Sequence, residues 1–192
     1  MKPRPLFAAL ALLGLGWAGA TQAQPKLVPA QSEIVFVSRQ MGVPVEGRFR
    51  QFDAQIAFDP ARPAAGQVAF AIDVGSATLG VRETDAELPK PVWFHAARFP
   101  QATFQSTAIR ATGPAQYEVA GRLTIKGVAS DVVVPVRLSQ PQGPGGVTVA
   151  TGQFPIQRLT FKVGENEWAD TSMVANEVQV RFRLALTGVG KL

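Results

Sequence analysis

Apolar and polar residues alternate two by two along most of the chain, which puts one set of side chains on each face of a strand. The pattern is plainest where Val68, Phe70, Ile72 and Val74 interleave with Gln67, Ala69, Ala71 and Asp73. It returns where Tyr117, Val119, Leu123 and Ile125 interleave with Glu118, Arg122, Thr124 and Lys126. The strongest case closes the chain, with Val178, Val180, Phe182, Leu184 and Leu186 against Gln179, Arg181, Arg183 and Ala185. Shorter alternations predict strands over Glu33–Ser38, Gly47–Phe58, Ala102–Arg110, Asp131–Ser139 and Val147–Phe161, the last broken near Gly152 to Pro155. Turn residues separate them: Asp59-Pro60 with Pro63 and Gly66, Gly113-Pro114, Lys126-Gly127, and Pro141 to Gly146.

Two segments leave the alternation, Glu83 to His95 and Glu167 to Asn176, and their residues suit short helices. Pro89 and Pro91 limit the first, which should end near Leu88. About eight strands at short spacing, with no helix alternating between them, predict an all-β fold: a sandwich or, preferably, an eight-stranded antiparallel β-barrel. A barrel of that size can be filled by its own side chains or hold one elongated ligand.

The first residues carry a different signal. Lys2 and Arg4 precede an apolar stretch from Leu6 to Ala20, and small residues follow, as in an export signal. Cleavage after Ala23 is preferred to cleavage after Ala20, giving a signal peptide over 1–23 and one domain over 24–192. The expected location is the periplasm. Cysteine is absent, so burial and a closed ladder must supply the stability that a disulfide would give there. The formal charge of +5 falls to +3 without Lys2 and Arg4, and the remaining cations are scattered among acids. That distribution argues against nucleic acid as a partner.

Catalytic signatures are few. One histidine and no cysteine exclude Cys–His catalysis and multi-histidine or thiolate metal centres. Gly75-Ser76 lacks the flanking glycines of a nucleophile elbow. Glu83, Asp85 and Glu87, and again Glu165, Glu167 and Asp170, read as solvated charge. Gly143-Pro144-Gly145-Gly146 lacks the lysine of a phosphate loop. The expectation is a binding protein rather than an enzyme, with no catalytic residues, no metal and no cofactor.

Several stretches, in order, resemble the YceI-like family of exported lipid-binding barrels. They are Gln40-Met41-Gly42-Val43-Pro44-Val45-Glu46-Gly47-Arg48-Phe49, Ile56-Ala57-Phe58-Asp59-Pro60 and Ile72-Asp73-Val74-Gly75-Ser76. Trp93-Phe94, Phe99-Pro100, Phe104-Gln105-Ser106 and Gly121-Arg122-Leu123-Thr124-Ile125-Lys126-Gly127 follow. Phe154-Pro155-Ile156-Gln157-Arg158-Leu159-Thr160-Phe161, Gly164 and Glu167-Trp168-Ala169-Asp170 complete the set. The resemblance implies a lipocalin-like barrel whose lengthwise cavity takes a polyisoprenoid, such as a quinone (ubiquinone among them) or a polyprenyl lipid. Many relatives carry a histidine near the end of the first strand, where this chain has Ser38-Arg39-Gln40.

On this reading Phe36, Phe49, Phe70, Ile72, Trp93, Phe94, Phe104, Leu123, Phe154 and Phe182 contact the ligand inside the barrel. Arg39, His95 and Arg158 are expected near a headgroup at the open end. Burying a few hundred Å² of tail at roughly 25 cal/mol per Å² supplies several kcal/mol before association costs. Further expectations are a membrane cytochrome of the cytochrome b type as a partner and a monomeric or homodimeric state. The alternative is a filled core whose surface binds a periplasmic partner.

Overall fold

The computed structural model describes residues 24–141 and 146–192. The expected signal peptide and most of the Pro141–Gly146 turn lie outside the described residues. Eleven strands form one antiparallel sheet: β1 (Lys26–Leu27), β2 (Glu33–Gln40), β3 (Val43–Phe49), β4 (Phe52–Ala57), β5 (Gln67–Asp73), β6 (Ala77–Thr78), β7 (Gln101–Gly113), β8 (Gln116–Ile125), β9 (Val128–Ser139), β10 (Thr148–Gln157) and β11 (Glu177–Thr187). Their order is β4-β5-β7-β8-β9-β10-β11-β2-β3-β6, with β1 beside β11.

The two ends of that order belong to one stretch of chain. β3 pairs with β2 and β4 pairs with β5, while only Arg50 and Gln51 separate β3 from β4. The sheet therefore curls back on itself through one bent strand. Counted so, the wall has eight long strands. Ser76 holds the bend: its Oγ accepts from the backbone N–H of Arg50 (3.1 Å) and of Gln51 (3.0 Å) and donates to the Asp73 carbonyl (2.6 Å). Gly75-Ser76 thus has a structural use in closing the sheet.

Several predicted boundaries are corrected. The strand expected from Gly47 begins at Val43, because Met41 (φ 47°) and Gly42 (φ 80°) form a two-residue turn with both φ positive, the geometry that suits the twist of a tight hairpin. β10 runs unbroken through Gly152 and Pro155. Ala185 turns its own N–H and C=O to Ser32 and Val28, so the pairs at even-numbered β10 residues carry the β10–β11 bonds. Pro155 lies between them, and its nitrogen faces the side where pairing with β9 has ended at Thr151. No ladder bond is lost there.

The helix expected from Glu83 to near Leu88 is shortened to α1 (Arg82–Asp85), after which the chain continues in turns to His95 and beyond. Pro89 and Pro91 deny it further hydrogen-bonded helix. Glu167–Asn176 is likewise turn structure, opening with a short 3₁₀ segment over Asn166–Ala169.

Candidate functional site

Inward residues of the strands surround a central cavity of about 370 Å³ rather than a filled core. At one end Leu27, Phe58, Ala115 and Val189 pack against an apolar cluster that includes Ile34, Ile56, Ile109, Tyr117 and Leu138. At the other, Val74, Ala102, Ile125, Phe161 and Val163 pack beneath Trp93 and Phe94. This second end is the mouth. It is bordered by Gln40, Thr84, Glu87, Leu88, Trp168 and Val174.

All ten apolar residues expected to touch a ligand line this cavity: Phe36, Phe49, Phe70, Ile72, Trp93, Phe94, Phe104, Leu123, Phe154 and Phe182. Alternation selected the eight on strands, because each shares its strand's inward parity. In β7 the parity changes: Ala102 and Phe104 face in, the register slips between Ser106 and Ala108, and Ile109 faces in. A bulge of this kind turns the rest of a strand to the opposite face.

Three glycines explain why so many rings leave the lumen open. A Cβ on Gly47 would lie 2.2 Å from the ring of Phe36, one on Gly121 2.4 Å from Phe104, and one on Gly152 2.4 Å from Phe182. Each ring lies over the bare backbone of a neighbouring strand instead of crossing the barrel. Near the mouth, Phe49 joins Phe36 (5.3 Å between ring centres) and Phe94 (5.9 Å), and Trp93 packs on Trp168 (5.5 Å).

Arg158 lines the cavity but is 3% exposed, and every guanidinium N–H is engaged. Nε donates to the carbonyl of Ala175, one terminal nitrogen to Val163 and Gly164, and the other to Trp168 and Val174, at 2.6–3.0 Å. Burial pulls its pKa below the ordinary value, but a guanidinium stays charged in a protein. Arg158 therefore gathers residues 163–175 over the mouth and has no donor left for a headgroup.

Arg39 and His95 do not line the cavity. Arg39 is exposed, at an odd position of β2, whereas Phe36, Ser38 and Gln40 face inward. His95 (φ 52°) stands in an outer depression with Arg98, Lys126, Lys162 and Glu165, its ring edge-on to Phe99 at 5.7 Å. There Lys126 Nζ donates to Glu165 (2.7 Å) and to the Lys162 carbonyl (2.6 Å), and the first bond draws the Glu165 carboxyl below its ordinary pKa. Both side chains thus stand outside the cavity.

The acidic sets are also dispersed. Asp85 accepts from Thr78 (2.5 Å) and from the Leu79 N–H (2.6 Å), and Asp170 from Ser172. Among the described residues, no three His, Cys, Asp or Glu side chains converge as a metal site would need.

Strand parity could have added Ile34, Ile56, Tyr117, Val134 and Leu138 to the expected lining. Leu79, Thr84, Glu87 and Leu88 carry no such signal, because their segment is irregular.

Fold and cavity together define a class, the lipocalin-like antiparallel barrels with an apolar interior. The chain belongs to the YceI-like family, whose domain matches residues 26–186. A UPF0312 protein of Azotobacter vinelandii (strain DJ / ATCC BAA-1303) is 30% identical over 162 residues, covering 77% of this chain and 83% of that protein. The crystal structure of Burkholderia cenocepacia BcnA shares 45% identity at a TM-score of 0.79, covering 83% of this chain and 99% of BcnA. A polyisoprenoid binding domain from Saccharophagus degradans, implicated in plant cell wall breakdown, has the same fold at 16% identity and a TM-score of 0.68, with 85% of this chain and 98% of that one covered.

Proposed function

We propose that this barrel binds one isoprenoid lipid, a quinone or a polyprenyl lipid, along its axis and carries it through the periplasm after residues 1–23 are removed. The observation that carries the reading is the continuous apolar cavity. Tyr117 and Ile125, eight residues apart on β8, both border it, so it runs on the order of 25 Å along the strand. A chain of that length inside an apolar wall is held by burial, with no catalytic group required.

Two further facts support a carrier. The solved domain from Saccharophagus degradans with this fold binds polyisoprenoid. Met41, Val43 and Met173 are exposed beside the mouth, and Trp168 is exposed at its border, an apolar rim suited to exchange with an apolar donor or acceptor. Delivery of a quinone to a membrane cytochrome of the cytochrome b type belongs to the same proposal.

The test is native mass spectrometry of protein taken from its own periplasm, with organic extraction of whatever it holds. A stoichiometric isoprenoid is expected. Empty protein that also fails to bind added quinone or polyprenyl lipid overturns the reading. Haem reduction by quinol-loaded protein then tests the cytochrome.

A further inference from the structure

The cavity's polar side chains stand at its two ends. At the mouth, the Thr84 hydroxyl donates to the Val81 carbonyl (2.9 Å), Glu87 pairs with Lys90 (2.5 Å) and Arg158 is fully engaged. Ser38 and Gln40 stand beside them, within reach of bulk water. Tyr117 is alone at the closed end, 7% exposed, and its ring meets Phe58 edge-on at 5.2 Å.

No hydrogen bond to the Tyr117 hydroxyl is found among the described residues. Nor is it sealed in protein: no fully enclosed side-chain nitrogen or oxygen among those residues lacks a partner, so the unbonded hydroxyl keeps some open surface, and Tyr117 is one of the residues that line the cavity. In the empty barrel such a group has no protein partner to replace the hydrogen bond it made to water in the unfolded chain. An ordered water would be a poor substitute, since it needs two to four polar partners. Phe58 and the cross-strand Val136 offer none. Burial also raises the phenol's pKa, which keeps it a donor at neutral pH.

We infer that Tyr117 is the donor of a polar subsite at the closed end, and that the ligand enters head first. A carbonyl or ether oxygen would accept from Tyr117, while the isoprenoid tail runs back toward the mouth. This rests on the carrier reading and sharpens it: the cargo is an isoprenoid whose head carries a hydrogen-bond acceptor, as a quinone does, rather than a pure hydrocarbon. The expected headgroup position at the mouth is reversed, in keeping with Arg39 and His95 on the outer face and Arg158 without a free donor. A site that hydrogen-bonds its ligand discriminates against analogues that lack the bonding atom.

The experiment compares the mature chain with Tyr117→Phe, using a benzoquinone bearing a two-isoprene tail and, as the hydrocarbon control, squalene. Tyr117→Phe should bind the quinone about tenfold more weakly and squalene equally well. Its melting temperature should not fall, since the lost hydroxyl has no partner in the empty barrel. Because the chain has a single tyrosine, its ¹³Cζ resonance reports the contact directly and should move with the quinone but not with squalene. If the wild type binds both probes and Tyr117→Phe keeps full quinone affinity, the subsite is overturned and the carrier stands. If the wild type binds neither probe, the carrier reading falls and the subsite with it.

Discussion

The ring of Phe182 lies over Gly152, its partner across the β10–β11 ladder, so closely that a Cβ there would fall 2.4 Å from the ring's Cζ. The same Cβ would come within 2.3 Å of the Pro135 carbonyl. Gly152→Ala should therefore push the ring toward the lumen and strain the wall, costing about 1–3 kcal/mol. Urea denaturation measures that cost, and quinone titration should show weaker binding. Adding Phe182→Leu should recover part of the binding, whereas a purely backbone effect of Gly152→Ala would leave the double variant no better.

Arg158, the residue directly after β10, donates to the carbonyls of Val163, Gly164, Trp168, Val174 and Ala175. Arg158→Met leaves those acceptors without their donors and should lower stability by about 3 kcal/mol or more. Hydrogen exchange should show lost protection concentrated over residues 163–175. Arg158→Lys, with three donors in place of five, should recover only part of it.

Ser76→Ala removes the oxygen that accepts from both Arg50 and Gln51 at the bend. A destabilisation of about 0.5–1.5 kcal/mol is expected from unfolding curves, since these bonds are exposed to solvent. A change below 0.5 kcal/mol would mean that the bend is held by its backbone pairing alone.

Stability should also fall in acid. Hydrogen bonds from Thr78, Ser172 and Lys126 draw the carboxyls of Asp85, Asp170 and Glu165 below their ordinary values. A carboxyl depressed in the folded state stabilises it above the unfolded pKa and loses that contribution as the pH falls through the folded pKa. The loss should begin below about pH 5 and continue under pH 4, and it should be modest because these groups face solvent. Tyr117 is the opposite case: its raised pKa favours the folded state below about pH 10, and that contribution is lost as alkali titrates the phenol. Melting temperatures between pH 3 and 7 check the first trend. Lys126→Met should flatten the part that belongs to Glu165.

Parity made the barrel and most of its lining readable, since Phe36, Phe70, Leu123 and Phe182 had only to be counted along their strands. It also placed Arg39 outward and Arg158 inward, continuing from Phe154 and Ile156, but charge suggested a common headgroup role for both. What charge could not reveal was that five carbonyls from a later segment would surround Arg158. The β7 bulge was hidden because Thr107 and Ala108 bear no mark of an unpaired step. His95 lay beyond any such count, in a segment whose path is set by packing of Trp93 and Phe94 rather than by period. Gly152 and Pro155 read locally as a break, yet the first makes room for a ring and the second occupies a position with no ladder bond to lose.

The place of β11 between β10 and β2 has a consequence for the order of assembly. The wall has no seam that can close early, because the segment joining its earlier and later strands is Glu177–Thr187, the last strand of the sheet in chain order. Until those residues arrive, β2 and β10 each present a bare ladder edge, the kind that recruits foreign strands. A chain that ends before β11 is thus not a slightly smaller barrel but an open sheet, and losing that strand should produce aggregation where a loop deletion elsewhere produces only looseness.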